Sequence, residues 1–385
     1  MLAPIFSKTE RIINSRFGLL CLLSICVTSV FFFSFPLYEY RIPDILDENS
    51  LDSIGENVLS ISSMRSKQIE TPFSPLDIQQ KGLHQNKLAF RFSMPLIAHV
   101  FGLKLIHLIF LQNIMGVLLF LVSFKLCFSI IKDKIASSLF TLGLTFIYVG
   151  KTSFVDLVPY FDGAALFFLG LSMLFRSKSM IMLFTLAACF TDERALIATS
   201  IVFVYWVFIE NKRHISLSSF FTGEFSKMVL IGWLVYFAIR GYLQFELGLM
   251  TESEGLGLVY LKSNWPRLLF GWFAALEFYW FIPLMASVLL YSLRKWLKLT
   301  LFLIPPLVLL LISWMVADIT RSIVMVYPIL YVSLVVLNER ANPKDWRYVM
   351  LALCIFCFFI PSYWVIGPEY GTYEPAFPKI LKFVF

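Results

Sequence analysis

The sequence predicts an all-α, polytopic membrane fold of about eleven spans, forming a single integral membrane domain over residues 1–385. Three observations carry this. Of the 385 residues, 59% are apolar and only 15% are charged, against roughly 25% charged in soluble domains. Mean hydropathy is +0.79, more apolar surface than a water-soluble domain of this length can hide. The apolar residues also gather into long runs separated by short polar links, which excludes disordered, collagen-like and disulfide-scaffold chains.

About 20 apolar residues cross a hydrocarbon core. Candidate spans lie at 17–38, 104–131, 135–150, 160–175, 179–191, 195–209, 228–245, 268–292, 298–316, 320–337 and 348–366. The first follows Lys8, Arg11 and Arg16, has no small-residue cleavage site and ends in Phe35-Pro36-Leu37-Tyr38, so it reads as a retained anchor. The six cysteines all sit in apolar runs, and Cys354-Ile-Phe-Cys357 reads as small apolar filler, not a redox pair.

Charge sets the orientation. With the N-terminus cytoplasmic, the inner segments are 1–16, 125–134, 176–178, 210–227, 293–298 and 338–347. They hold 17 Lys and Arg against 6 Asp and Glu, while the rest of the chain holds 15 against 19. The net charge of +7 therefore reports positive-inside topology, not nucleic-acid binding. The C-terminus falls on the extracytoplasmic side, with 367–385 as a short outer tail.

Two features depart from a regular bundle. Residues 39–103 form one long outer loop, far above ordinary connection lengths and so expected to be functional. It carries two stretches of helical apolar spacing, Ile54–Ile69 and Leu76–Phe90, expected to lie along the membrane surface. The spans at 160–175 and 179–191 are short, as helices opening onto a protein-lined cavity can be.

Charges within membrane segments are costly and mark function by default. Most of these fall at the outer ends of spans: Asp156 and Asp162 around Pro159, then Asp192-Glu193-Arg194, then Asp318 and Arg321. Arg240 and Glu277 lie nearer mid-span, and His99, Lys104 and His107 stand where the loop rejoins the membrane. The convergence predicts a polar cavity open to the outside. The plainer alternative is that these charges pair and fix helix packing, and for Asp318 and Arg321, one helical turn apart, both readings stand. His84, His99, His107 and His214 show no metal-ligand spacing, so no metal site is expected. Phosphate-loop, serine-hydrolase and zinc-protease motifs are absent from the sequence.

Four patches resemble bacterial polytopic glycosyltransferases of the GT-C fold, which draw sugars from polyprenyl-phosphate carriers. They are Phe90-Arg91-Phe92-Ser93-Met94-Pro95-Leu96; Phe161-Asp162-Gly163-Ala164 leading into Phe167-Phe168-Leu169-Gly170-Leu171; the turn Ala187-Ala188-Cys189-Phe190-Thr191-Asp192-Glu193-Arg194-Ala195-Leu196; and Asp318-Ile319-Thr320-Arg321 followed by Tyr327-Pro328. The likeness runs over roughly residues 17–340.

The resemblance implies a base early in the first outer loop, where Asp47-Glu48 is similar to an Asp-Glu pair in such transferases. Asp44 and Asp52 are rivals, because the pair lies about ten residues beyond the first span. It also implies that Arg91, Arg194 and Arg321 face the leaving phosphate, with Asp162, Asp192, Glu193 and Asp318 completing the substrate site. The expected partners are membrane lipid, a polyprenyl-phosphate-linked sugar and a lipid or glycan acceptor. No cofactor and no nucleic acid is implied. Absence of any Asn-x-Ser/Thr acceptor sequence fits a bacterial inner (cytoplasmic) membrane. The competing readings are a multi-pass transporter or flippase using Asp162, Asp192, Glu193 and Glu277, an envelope-polysaccharide polymerase or ligase, and a non-catalytic assembly subunit.

Overall fold

The computed structural model of the chain describes residues 3–15, 17–34, 56–74, 88–155, 160–211, 215–216, 219–249, 256–316, 318–366 and 369–372. The described residues are overwhelmingly helical. In chain order come α1 (Ala3–Asn14), α2 (Gly18–Ser34), α3 (Glu56–Glu70), α4 (Ser93–Phe101), α5 (Leu105–Ile131), α6 (Lys134–Leu144), α7 (Tyr148–Val155), α8 (Asp162–Leu174), α9 (Lys178–Cys189) and α10 (Glu193–Glu210). Then follow α11 (Glu224–Phe245), α12 (Leu256–Asn264), α13 (Leu268–Leu276), α14 (Phe281–Ser292), α15 (Trp296–Trp314), α16 (Ile319–Ile323), α17 (Pro328–Leu337) and α18 (Asp345–Phe359). A two-stranded antiparallel hairpin follows, β1 (Tyr363–Ile366) with β2 (Glu369–Thr372), in the register Tyr363 opposite Thr372 and Ile366 opposite Glu369.

By length and composition, five helices among the described residues can cross a membrane: Leu105–Ile131, Glu224–Phe245, Tyr260–Ser292, Trp296–Trp314 and Ile319–Leu337. The count is six if α6 and α7, bent by 53° at their junction, form one span. Eleven crossings are not reached by this measure, for physical reasons that differ from span to span. Helices α2, α8 and α9 are apolar but short. Helix α10 has 18 residues but carries Glu193, Arg194 and Glu210. The last predicted span, 348–366, is not one helix: α18 stops at Phe359, Pro361 follows, and Tyr363–Ile366 turns into a strand.

Burial orders the bundle. The apolar stretch of Ile319–Leu337 is 94% buried and forms the central mast, whereas that of Glu224–Phe245 is 22% buried and turns most of its surface outward. In the loop, α3 matches the predicted helix at Ile54–Ile69. Most of the second predicted stretch, at 76–87, lies outside the described residues.

The helices have chemically distinct ends. Starts of three are fixed by carboxylates that accept from backbone amides: Asp133 from Ala136 N at 2.8 Å, Asp192 from Arg194 N at 2.8 Å and Asp318 from Arg321 N at 3.0 Å. At one end of the bundle, segments assigned to the inner side pair with one another. Arg347 meets Asp133 at 2.7 Å and Glu10 at 3.5 Å; Lys295 and Lys298 meet Glu339 at 2.8 and 3.3 Å; Lys178 meets Glu224 at 3.3 Å. Helices α8, α9, α10 and α16–α17 each run from these links to the opposite end, where the second set of charges lies.

Candidate functional site: a guanidinium–carboxylate cluster

Four chain segments bring seven charged side chains together at that opposite end. Arg91 comes from the stretch leading into α4. Asp162 opens α8, Asp192-Glu193-Arg194 forms the turn into α10, and Asp318 and Arg321 open α16. Local chemistry builds each piece. Phe161 takes a left-handed conformation (φ 64°) and turns the chain into α8. A Cβ at Gly163 would stand 2.6 Å from Ser153 Cα, so glycine there lets α8 press against α7 and sets the height of Asp162.

Two carboxylates form the floor, each with no solvent exposure. Asp162 accepts from Arg194 Nη2 at 2.8 Å through Oδ1 and from Arg321 Nε through Oδ2. Asp192 meets Arg91 Nη1 at 2.8 Å and Arg194 Nη2 at 2.7 Å, and accepts from Arg194 Nε at 2.8 Å. Ser322 Oγ accepts a further bond from Arg194 Nη1 at 2.9 Å.

Two more carboxylates form the rim. Glu193, 24% exposed, pairs with Arg91 at 2.7 Å. Asp318, 20% exposed, stands 3.8 Å from Arg321, whose guanidinium lies over the Tyr160 ring at 4.0 Å from its centroid. The cluster thus ranks its own anions: those in the floor are inaccessible and doubly bridged, those at the rim are accessible and singly held.

Electrostatics separates the two kinds. Burial alone would raise the Asp192 carboxyl, but the Arg194 and Arg91 guanidiniums outweigh it and hold it far below the usual carboxylate range. Asp318 moves the other way: burial raises it, and Arg321 offsets that only in part. Three arginines face four acids, a formal excess of one negative charge within these ion pairs.

All seven side chains predicted for the substrate site lie in this one network. Asp44, Asp47 and Glu48, the predicted bases, lie outside the described residues, as do Asp52, Asp156 and Pro159. Arg240 sits beside the network, its guanidinium 4.3 Å from the Phe90 ring centroid and donating to Tyr236 Oη at 2.7 Å. Polar atoms of His99 and His107 have local roles: His99 Nδ1 lies 2.9 Å from Ile69 O, and His107 Nδ1 accepts from Lys104 N at 3.0 Å.

Sequence reasoning missed Arg65, Gln68, Tyr160 and Ser322. Arg65 and Gln68 are buried on α3. Arg65 donates to Arg91 O at 2.6 Å and lies 5.4 Å from the Phe161 ring centroid; Gln68 donates to Leu88 O at 3.0 Å. They tie the loop helix to the segment that delivers Arg91. The signal was present: Arg65 stands four residues from both Ile61 and Ile69, on the apolar stripe of its helix.

Among the described residues, no group of three or more His, Cys, Asp or Glu side chains is arranged to hold a metal ion. The chain matches no known protein family, no curated protein and no solved structure.

Proposed function

We propose that the chain is a membrane glycosyltransferase of GT-C type. It transfers a sugar from a polyprenyl-phosphate carrier to a lipid or glycan acceptor on the outer face of the cytoplasmic membrane. The observation that carries the reading is the meeting of Arg91, Arg194 and Arg321 at one end of an apolar bundle, held by two inaccessible carboxylates. Guanidinium forks match phosphate geometry and stay charged at any working pH. Their fixed placement costs no reorganisation when charge develops on the leaving group.

In the reaction the acceptor oxygen forms a bond to sugar C1. The C1–O bond to phosphate breaks, and its electron pair stays on the phosphate beside the arginines. The acceptor proton passes to a loop carboxylate, for which Asp47, Glu48 and Asp44 are the candidates. Arg321, the most exposed of the three, and Arg91, which pairs with the rim acid Glu193, are assigned to the phosphate; Arg194, bound to both floor carboxylates, holds them in register.

The test supplies radiolabelled polyprenyl-phosphate sugar to membranes containing the protein. Wild type transfers label, and Arg321→Lys, which keeps charge but loses the fork, loses most transfer. At least one of Asp47→Asn, Glu48→Gln and Asp44→Asn abolishes it. If all three transfer like wild type, the base assignment fails; if wild type transfers nothing from any carrier, the transferase reading fails. A transporter is the second reading, favoured by the two helix breaks around Glu277, since discontinuous membrane helices often frame transport sites.

A further inference from the structure

A second polar centre lies inside the bundle, built on residues other than those of the arginine cluster. The membrane helix Tyr260–Ser292 breaks at Glu277, which adopts φ 47° and ψ −127°, a backbone state that costs a non-glycine residue about 1–3 kcal/mol and that clusters at functional sites. The other broken helix, α6–α7, brings its bend and Lys151 to the same place. Glu277, Lys151 and Ser362 are at most 2% exposed. Lys151 Nζ donates to Ser362 Oγ at 2.8 Å, and Ser362 Oγ donates to Glu277 Oε1 at 2.9 Å. Phe146 O, at the α6–α7 bend, is a competing acceptor for the same hydroxyl hydrogen. Glu277 Oε2 has no hydrogen-bond partner among the described residues.

Packing needs alone do not account for this arrangement. A strained backbone, two broken helices and an orphaned carboxylate oxygen are each unfavourable in an apolar interior. A glutamine or a hydrophobic residue would fill the space without a buried charge. What the three groups can do together is move a proton. The ammonium passes one to Ser362 Oγ as Ser362 passes its own to Glu277 Oε1, leaving a neutral amine and a neutral carboxylic acid. One N–H bond breaks, one O–H bond forms, and the hydroxyl is restored.

We propose that Lys151, Ser362 and Glu277 form a proton-exchange centre, a site for one mobile proton distinct from the arginine cluster. Ser362 acts as relay and the Phe146 carbonyl as the resting partner of its hydrogen. Cys357 on α18 interacts with both Glu277 and Lys151, with Cys354 one turn away and Tyr279 two residues along from Glu277. The same elements also carry Tyr148 on α7, Tyr291 on α14, Tyr363 on β1 and, near the start of α18, Asp345, Arg347 and Tyr348. Helices α13 and α14 contain no Asp, Glu, Lys, Arg or His. Ser362 also leads into β1, where Val365 N donates to Thr320 Oγ1 at 3.1 Å, one residue from Arg321. The hairpin thus joins the proton centre to the opening of α16. The inference does not depend on the transferase reading.

Infrared difference spectroscopy on the full chain in lipid nanodiscs tests it, comparing acidic with alkaline buffer. Wild type shows a pH-dependent carboxylic acid C=O band that shifts in D2O. The band disappears in Glu277→Gln, and its midpoint moves in Lys151→Met and in Ser362→Ala. A band unchanged by Glu277→Gln overturns the proposal. Should that variant fail to fold, Glu277→Asp serves: a shifted band frequency supports the centre and an unshifted one overturns it.

Discussion

Asp162 Oδ1 accepts from Arg194 Nη2 at 2.8 Å while Asp162 Oδ2 accepts from Arg321 Nε, so one inaccessible carboxylate holds two guanidiniums delivered by different helices. Asp162 is therefore the pin between the openings of α8, α10 and α16. Removing one partner of a buried charge network strands the others, which costs about 3–5 kcal/mol. Asp162→Asn is expected to lower the thermal midpoint of the detergent-solubilised protein sharply. Combined with Arg194→Gln it should cost less than the sum of the two single changes, because each disrupts the same bond. Additive costs would show that the pair does not act as a unit.

Asp192 and Asp318 should respond to pH in opposite senses. Asp192 is depressed in the folded protein, so its stabilising contribution is present above the usual carboxyl value of 3.8 and is lost as pH falls below it. Asp318 is raised, so its contribution is present below 3.8 and is lost as pH rises through its higher folded value. At neutral pH, Asp192→Asn is expected to lower the thermal midpoint. Asp318→Asn, which removes a rim charge held by one loose partner at 3.8 Å, should leave it unchanged or raise it. Thermal scans across a pH series distinguish the two, and equal losses at neutral pH would contradict the assignment.

The charge cluster was legible in sequence because charge is scarce there. In a chain with long apolar runs, each Asp or Arg at a span end must find a partner, and the span order puts those ends together. Arg65 was hidden for the opposite reason: in a polar loop an arginine is unremarkable, and only its place on the apolar stripe marks it. The breaks were hidden too. Phe273-Ala-Ala-Leu-Glu-Phe-Tyr-Trp280 reads as a continuous helix with one stray acid, and nothing local announces the positive φ at Glu277. The final helix was read too long because Tyr363-Trp-Val-Ile366 is as apolar as the helix before it; Pro361 was the available stop signal.

Gly163 tests whether the height of Asp162 matters. A methyl group there would meet the Ser153 backbone at 2.6 Å, and backbone cannot rotate away as a flexible side chain can. Gly163→Ala is expected to push α8 from α7 and cost about 1–3 kcal/mol. Ligand binding should weaken beyond what lost folded protein explains, since Arg194 and Arg321 both follow Asp162. Normal affinity in the folded fraction would separate packing from site geometry.

The rim carboxylates offer the sharpest test of how the cluster meets an anion. Arg91 keeps Asp192 as a partner if Glu193 is neutralised, and Arg321 keeps Asp162 if Asp318 is neutralised. Neither change strands a guanidinium, yet each removes a negative charge from the accessible side. A phosphate approaching from that side competes with Glu193 and Asp318 and not with the inaccessible floor. Partly exposed pairs of this kind are worth up to about 1 kcal/mol, so Glu193→Gln or Asp318→Asn should tighten binding of a polyprenyl-phosphate analogue about fivefold. Arg321→Lys should weaken it. Titration calorimetry in nanodiscs reads all three. Weaker binding in both neutralised variants would mean that the rim acids orient the arginines, and that an incoming anion adds to those pairs instead of replacing them.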